Sequence, residues 1–407
     1  MKIKFFGSRD FDLQLVSAVL LLCAIGIVAI YSATQIDQPQ FLGLWQKQLF
    51  SLGLGLLLMA FTIAVPFRYF EAFAWPLYIV SLILLVAVLF APPVMKAHRW
   101  INLGFVRFQP SELAKLATVF VLAKVLSAHD FSLDKFWKLL VPMGIVLLPA
   151  ALVLVEPDLG TSLSFAALFL TMVFWQGLSF GNFFFMVSPV LSMVAVISMP
   201  SWIGFMLLMA LAFWFFRVKF KHALPIFLIN ILIGSLAPAV WYGLKGYQRK
   251  RLLTFINPDL DPKGAGWHVL QSKIAVGSGG LLGKGFLQGT QKKLSFLPEQ
   301  HTDFLFSTFA EEFGLIGVLV VLSLFFWLLF RGMIIARQAR NRFASFTAIG
   351  IIGIMGFQVF LNIGVTLGIM PVTGIPLPFL SYGGTSLITM LVMTGILLNI
   401  GLRRYEY

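Results

Sequence analysis

An all-α protein that crosses the membrane many times is what this sequence predicts, and three observations predict it. Of 407 residues, 59% are hydrophobic and 11% charged, where a water-soluble domain carries about 25% charged residues. Apolar runs long enough to span a hydrocarbon core, about 20 residues, recur along nearly the whole chain. The basic residues between them gather in short connections, the pattern of cytoplasmic loops. A mean hydropathy of +0.93 excludes a cytosolic enzyme, a disordered chain and a collagen-like fibre. Cys23 is the one cysteine, so disulfides, CxxC redox pairs and cysteine-rich zinc sites are excluded too.

The runs fall at 13–33, 42–64, 70–91, 110–127, 136–155, 160–177, 181–199, 201–216, 223–243, 307–330, 343–367 and 377–401. The run 201–216 is short and Pro189 interrupts its predecessor. Residues 181–216 are therefore either a hairpin turning at Pro200-Ser201 or one irregular span. Charge favours the hairpin. With about twelve spans, four basic sites share the cytoplasmic side: Lys2, Lys4 and Arg9; Arg217, Lys219 and Lys221; Arg331, Arg337, Arg340 and Arg342; Arg403 and Arg404. Both termini are then cytoplasmic. The first run is too long for a signal segment and lacks an A-x-A site, so it is expected to stay as a helix.

One connection differs in kind. Residues 244–303 lie outside by this count and hold nine Lys or Arg against four acids. Long loops are largely exempt from the charge rule, and an external basic surface beside a bilayer suits an anionic headgroup such as a lipid diphosphate. No nucleic-acid motif appears, and nucleic acid is not an expected partner. Within the loop, Trp267, Leu270 and Ile274 share one face of a helix at 267–276. That helix lies at the interface, re-enters the bundle, or packs over the loop. The stretch Gly277 to Gly285 is rich in glycine but is no P-loop, because Lys284 is followed by Gly rather than Ser or Thr. It is a phosphate-holding turn or a plain flexible one.

Carboxylates narrow the chemistry. There are 16 Asp and Glu against 30 Lys and Arg, for a net charge of +14. Nine sit at termini, in short loops or in the turn-like stretch 257–262, where solvation accounts for them. The rest fall in four contexts: Glu112; Glu156 and Asp158; Glu299 and Asp303; Glu311 and Glu312. Acids at helix ends or inside a bundle are costly, and by default mark functional or paired sites. Glu112 and Lys115 share a helical face, as a structural ion pair or a functional one. Asp158 could cap the next helix through the amide of Gly160 or Thr161. Glu311 and Glu312 could each simply hydrogen-bond a neighbour. Asp303, beside His301 at the outer mouth, is a helix cap or a catalytic group.

A lone external carboxylate suits one reaction class in particular. Glycoside hydrolysis needs both an acid and a base, but a diphosphate leaves as an anion. One carboxylate then suffices as general base for an attacking sugar hydroxyl. Cationic side chains, or a divalent ion such as Mg²⁺ or Mn²⁺, would neutralise the leaving charge. The competing classes are a flippase for lipid-linked precursors and a non-catalytic scaffold. A flippase is favoured by two repeated halves, and no such repeat is visible.

Five motifs give the chain a family likeness. Arg99-Trp-Ile-Asn-Leu-Gly104, Phe108-Gln-Pro-Ser-Glu-Leu-Ala-Lys115, Glu156-Pro-Asp-Leu-Gly-Thr-Ser162, Leu297-Pro-Glu-Gln-His-Thr-Asp-Phe304 and Pro376-Leu-Pro-Phe-Leu-Ser-Tyr-Gly-Gly384 resemble the SEDS family (shape, elongation, division and sporulation) in order and over nearly the whole length. Gln271 to Gly285, continuing Gln288-Gly-Thr-Gln291, is similar to the rod-elongation branch rather than the division branch. The resemblance implies a peptidoglycan glycosyltransferase of the bacterial inner membrane that polymerises lipid II through β-1,4 bonds and releases undecaprenyl diphosphate. It implies Asp303 as catalytic base on the external face, with Glu112 and Lys115 matching the family's Glu–Lys pair. Arg99, Lys115, Lys273 and Lys284 are then candidates for diphosphate or saccharide contact, with Asp158 and His301 in support. The implied partners are lipid-linked glycan, the elongation machinery and a class B penicillin-binding transpeptidase. The family core has ten spans, so 1–407 reads as one transmembrane domain with an added hairpin at 181–216.

Overall fold

The computed structural model describes residues 11–35, 43–92, 99–102, 107–128, 131, 136–196, 198–243, 246, 249, 253–255, 265–290 and 301–404. The N-terminal basic cluster, the turn-like stretch 257–262, Gln291 and Glu299 lie outside them. The helices are α1 (Leu13–Thr34), α2 (Leu44–Ala64), α3 (Arg68–Ala72), α4 (Ala74–Leu89), α5 (Pro110–Ser127), α6 (Leu140–Val155) and α7 (Leu159–Trp175). Then come α8 (Phe180–Ala195), α9 (Met199–Phe215), α10 (Phe220–Gly243), α11 (Ala265–Ser278), α12 (Leu305–Gln338), α13 (Arg342–Thr366) and α14 (Gly384–Leu402). Two short strands, β1 (Ile101–Asn102) and β2 (Arg107–Phe108), pair antiparallel. Among the described residues, six helices are long and apolar enough to cross a membrane and five shorter ones are apolar. Each of the twelve apolar runs coincides with a helix, and the chain is a polytopic all-α membrane protein.

Caps explain several helix starts. The side chains of Asp12, Ser179, Ser198 and Asn341 accept from the backbone N–H of Leu15, Asn182, Ser201 and Phe343, satisfying donors that a helix start leaves open. Asp12 does more than its sequence position suggested. It is buried and pairs with Arg331 of α12 through two of the guanidinium nitrogens, the nearest contact being 2.8 Å.

Three boundaries depart from the apolar runs. The run 70–91 is split into α3 and α4 at Phe73. The last run becomes helical only at Gly384, because Pro376 and Pro378 leave the preceding backbone irregular. Within 181–216, α8 ends at Ala195 and α9 starts at Met199, ahead of Pro200-Ser201, because Ser198 caps α9 and Pro200 fits its first turn.

The chain divides into two compact units, Met1–Met172 with Asn257–Tyr407, and Val173–Ile256. In the first, α14 packs along α2, α12 along α1 and α13, and α5 against α4 and α13. In the most apolar stretch of α13 and of α14, 72% of residues are buried, against 22% in α12. The first two therefore form the protein's interior and α12 keeps a broad surface for lipid. Polar side chains fix the register. Asn399 on α14 donates to the carbonyls of Thr62, Ile63 and Val65 at 2.7, 3.1 and 2.6 Å, filling acceptors that the end of α2 leaves open. In the second unit, α8, α9 and α10 pack together. There Asn230 donates to Ser188 at 2.9 Å and Trp202 to Ser192 at 3.1 Å, the interhelical hydrogen bonding expected where lipid offers no partner.

Candidate active site

Asp303 lies in the turn 301–304 that leads into α12, half-buried together with His301 and Thr302. The cap position of α12 falls on Phe304 rather than on Asp303. Its carboxylate faces Gly374: a Cβ built there would stand 3.8 Å from Asp303 Oδ2. Gly374 adopts φ +80°, a backbone conformation that strongly favours glycine, so this wall of the site is bare backbone.

Three consecutive carbonyls of the turn are held from behind. Tyr382 N–H donates to His301 O at 2.9 Å, Ser381 Oγ to Thr302 O at 2.6 Å, and Asn362 Nδ2 to Asp303 O at 3.1 Å. The His301 and Tyr382 rings lie 5.7 Å apart. Burial pushes the Tyr382 phenol above its ordinary range, and the positive charge of Arg107 opposes that shift.

The other predicted residues form separate clusters. Glu112 and Lys115 are both buried and pair at 2.9 Å in the first turns of α5, while the second carboxylate oxygen of Glu112 has no hydrogen-bond partner among the described residues. Arg99 reaches into the α6–α7 turn. Its Nε donates to Glu156 O at 3.0 Å and its Nη2 to Pro157 O, and its Nη1 stands 3.7 Å from Asp158. Asp158 caps α7 through the Thr161 amide at 3.1 Å. Glu156, in the same turn, is 1% exposed, and among the described residues neither carboxylate oxygen has a hydrogen-bond partner. Burial, aided by the charge of Asp158 and opposed by Arg99, pushes its pKa up to about 8.

The glycine-rich stretch turns out to be a strap across a broken helix. Gly314 interrupts α12 with φ +64°, and the opened backbone is closed by the loop. Lys284 N–H and Gly285 N–H donate to Glu311 O and Glu312 O, both at 3.0 Å, while Leu315 N–H and Ile316 N–H donate to Gly280 O and Leu281 O at 2.9 and 3.2 Å. A Cβ at Gly314 would collide with the backbone of Gly283 and Leu281. The amides of 283, 284 and 285 are thus spent on carbonyls of the protein rather than presented as a phosphate cradle. Lys284 Nζ pairs with Glu311 at 2.7 Å, and Ser32 donates to Glu312 at 2.6 Å. Both glutamates therefore bond their neighbours.

Helix α11 packs over the turn. Ala275 is buried with Phe304 and Val365, and Ser272 donates to Thr366 O at 2.8 Å. Leu270 and Ile274 point the other way and are 49% and 43% exposed, so the stripe read from spacing faces outward. Lys273 is exposed and lies over Gly368, where a Cβ would come within 2.6 Å of its Nζ.

No three His, Cys, Asp or Glu side chains among the described residues form a group that could hold a metal ion. A divalent ion here would take most of its ligands from a substrate diphosphate and water. Two residues of the site, Asn362 and Gln48, escaped the sequence reading. The signal was present, because each is a polar residue inside an apolar run, but nothing in their spacing points to residue 303.

Comparison with known proteins supplies the family. The profile of the FtsW, RodA and SpoVE family, described as cell cycle proteins, matches residues 13–208 and 190–406. The peptidoglycan glycosyltransferase MrdB of Escherichia coli K12 is 36% identical over 98% of this chain and 96% of its own. The crystal structure of the rod shape determining protein RodA of Thermus thermophilus superposes with a TM-score of 0.63 at 29% identity, covering 98% of each chain. A second solved chain has a TM-score of 0.73 at 30% identity, covering 98% of this chain and 99% of its own; it was solved in a study of a peptidoglycan synthase complex that coordinates polymerization and crosslinking.

Proposed function

Because the chain belongs to the FtsW, RodA and SpoVE family and is a peptidoglycan glycosyltransferase by full-length similarity to MrdB, we propose that Asp303 is the general base with which it polymerises lipid II during cell-wall elongation. Asp303 takes the proton from the 4-hydroxyl of the acceptor GlcNAc. The freed oxygen attacks the anomeric carbon of MurNAc at the end of the growing strand, with inversion, and the bond to undecaprenyl diphosphate breaks. The diphosphate leaves as an anion, so no general acid is required.

The observation that carries the reading is the place of Asp303: it leads into α12 without being the cap residue, and its Oδ2 would stand 3.8 Å from a Cβ built on Gly374. Arg99, Lys115 and Lys273 are the proposed contacts for diphosphate or saccharide, and Lys284 is assigned to neutralising Glu311. Glu112, Asp158 and His301 support the site. The site faces the extracytoplasmic side, with both termini cytoplasmic, a topology that the basic short loops support. The partner is a class B penicillin-binding transpeptidase, a reading supported by a neighbour of this fold from a complex that joins polymerization to crosslinking. Asp303→Asn, assayed for glycan polymerisation from purified lipid II, tests the assignment.

A further inference from the structure

The geometry points to Asn362 and Ser381 as positioning residues for Asp303, which together fix the peptide units that aim its carboxylate. This inference rests on Asp303 being the base. The direction of a side chain follows from the backbone on either side of it, and turn 301–304 precedes the first turn of α12. Its carbonyls are held by side chains and backbone from elsewhere. Ser381 Oγ takes Thr302 O at 2.6 Å, which fixes the peptide entering Asp303, and Asn362 Nδ2 takes Asp303 O at 3.1 Å, which fixes the peptide leaving it.

Asn362 does this from the interior of α13, where it is 2% exposed. The same Nδ2 also donates to Ile375 O at 2.8 Å, and residue 375 directly follows Gly374, the wall that the carboxylate faces. One amide therefore sets both the carboxylate's own backbone and the backbone opposite it. Both partners are carbonyl oxygens, so the amide nitrogen rather than the oxygen must face them. Ser381 is held in turn by Gln48 on α2, which is 1% exposed. Gln48 Nε2 donates to Ser381 O and Gly383 N–H donates to Gln48 Oε1, both at 3.2 Å. Two buried amides, one on α2 and one on α13, thus support the backbone around Asp303.

The test compares Asn362→Asp, Ser381→Ala and Ser381→Thr with the unmutated chain. Each is purified with its transpeptidase partner and assayed with lipid II, with a melting temperature for each. Asn362→Asp keeps the shape but sets an acceptor against two carbonyls, and Ser381→Thr keeps the hydroxyl. Misplacing a reacting group by about 1 Å costs up to about 100-fold. The expected result is a kcat lowered about 10- to 100-fold in Asn362→Asp and Ser381→Ala, with KM for lipid II within twofold, and substantial recovery in Ser381→Thr. An unchanged kcat, or a raised KM at constant kcat, overturns the inference. If Asn362→Asp does not fold, the Ser381 pair decides: equal activity of Ala and Thr overturns it. Asp303→Asn runs alongside. Activity in that variant removes the premise, whereas its loss together with unimpaired Asn362 and Ser381 variants removes only the positioning role.

Discussion

Lys284 places its ammonium 2.7 Å from the carboxylate of Glu311, across the glycine loop and onto a helix broken three residues later. Glu311 is fully buried there and also accepts from the Thr290 amide and hydroxyl, at 2.9 and 2.7 Å. Removing one partner of a buried pair leaves an uncompensated charge, which costs about 3–5 kcal/mol. Lys284 keeps some exposure, so Lys284→Met should fall at the lower end, about 3 kcal/mol. Adding Glu311→Gln should restore most of the loss. Melting temperatures in detergent check this; a double variant no more stable than Lys284→Met would show that the pair does not hold the strap.

Glu156 gives the protein a pH-dependent stability. Its pKa is pushed up to about 8 by burial from an ordinary value of 4.5, so the folded state holds a proton that the unfolded chain releases. That contribution is fully present below about pH 4.5, declines as pH rises, and is gone above about pH 8. Glu156→Gln should therefore melt higher than the unmutated protein at pH 8, and the gap should shrink steadily toward pH 5. A constant difference across that range would mean that Glu156 finds a charged partner.

Asp12 serves α1 and α12 at once, and its two roles separate by mutation. Asp12→Asn keeps a good cap for α1 but removes the charge opposite Arg331, whereas Asp12→Ala removes both. The melting order should be unmutated, then Asn, then Ala, with about 1 kcal/mol between the last two for the lost cap. Equal melting of the two variants would deny the cap at Leu15.

Much of this protein is legible in its sequence because membrane burial writes a simple code. Twelve apolar runs became helices, since lipid requires each backbone group to be satisfied within its own segment. Asp158 was legible as a cap because a cap needs only the next three residues. The contacts that were not legible act over long range. Asp12 meets Arg331 across 319 positions and Gln48 meets Gly383 across 335, and no local spacing encodes such pairs. The role of the glycine stretch was not legible for a related reason: the amides of Lys284 and Gly285 meet the carbonyls of Glu311 and Glu312, more than two dozen residues downstream. Leu270 and Ile274 are exposed, as the interfacial alternative for that helix allows, but spacing alone could not choose among the alternatives.

In the proposed reaction Asp303 removes the proton that starts glycosyl transfer. Asparagine matches its shape, so Asp303→Asn should stay folded and should still assemble with the proposed transpeptidase partner. Polymerisation of purified lipid II by that complex, followed by gel or by release of undecaprenyl diphosphate, is the direct measurement. The account predicts a folded variant with no detectable glycan strands, beside an active unmutated control. Glycan strands formed by Asp303→Asn at a rate near that of the control would contradict it.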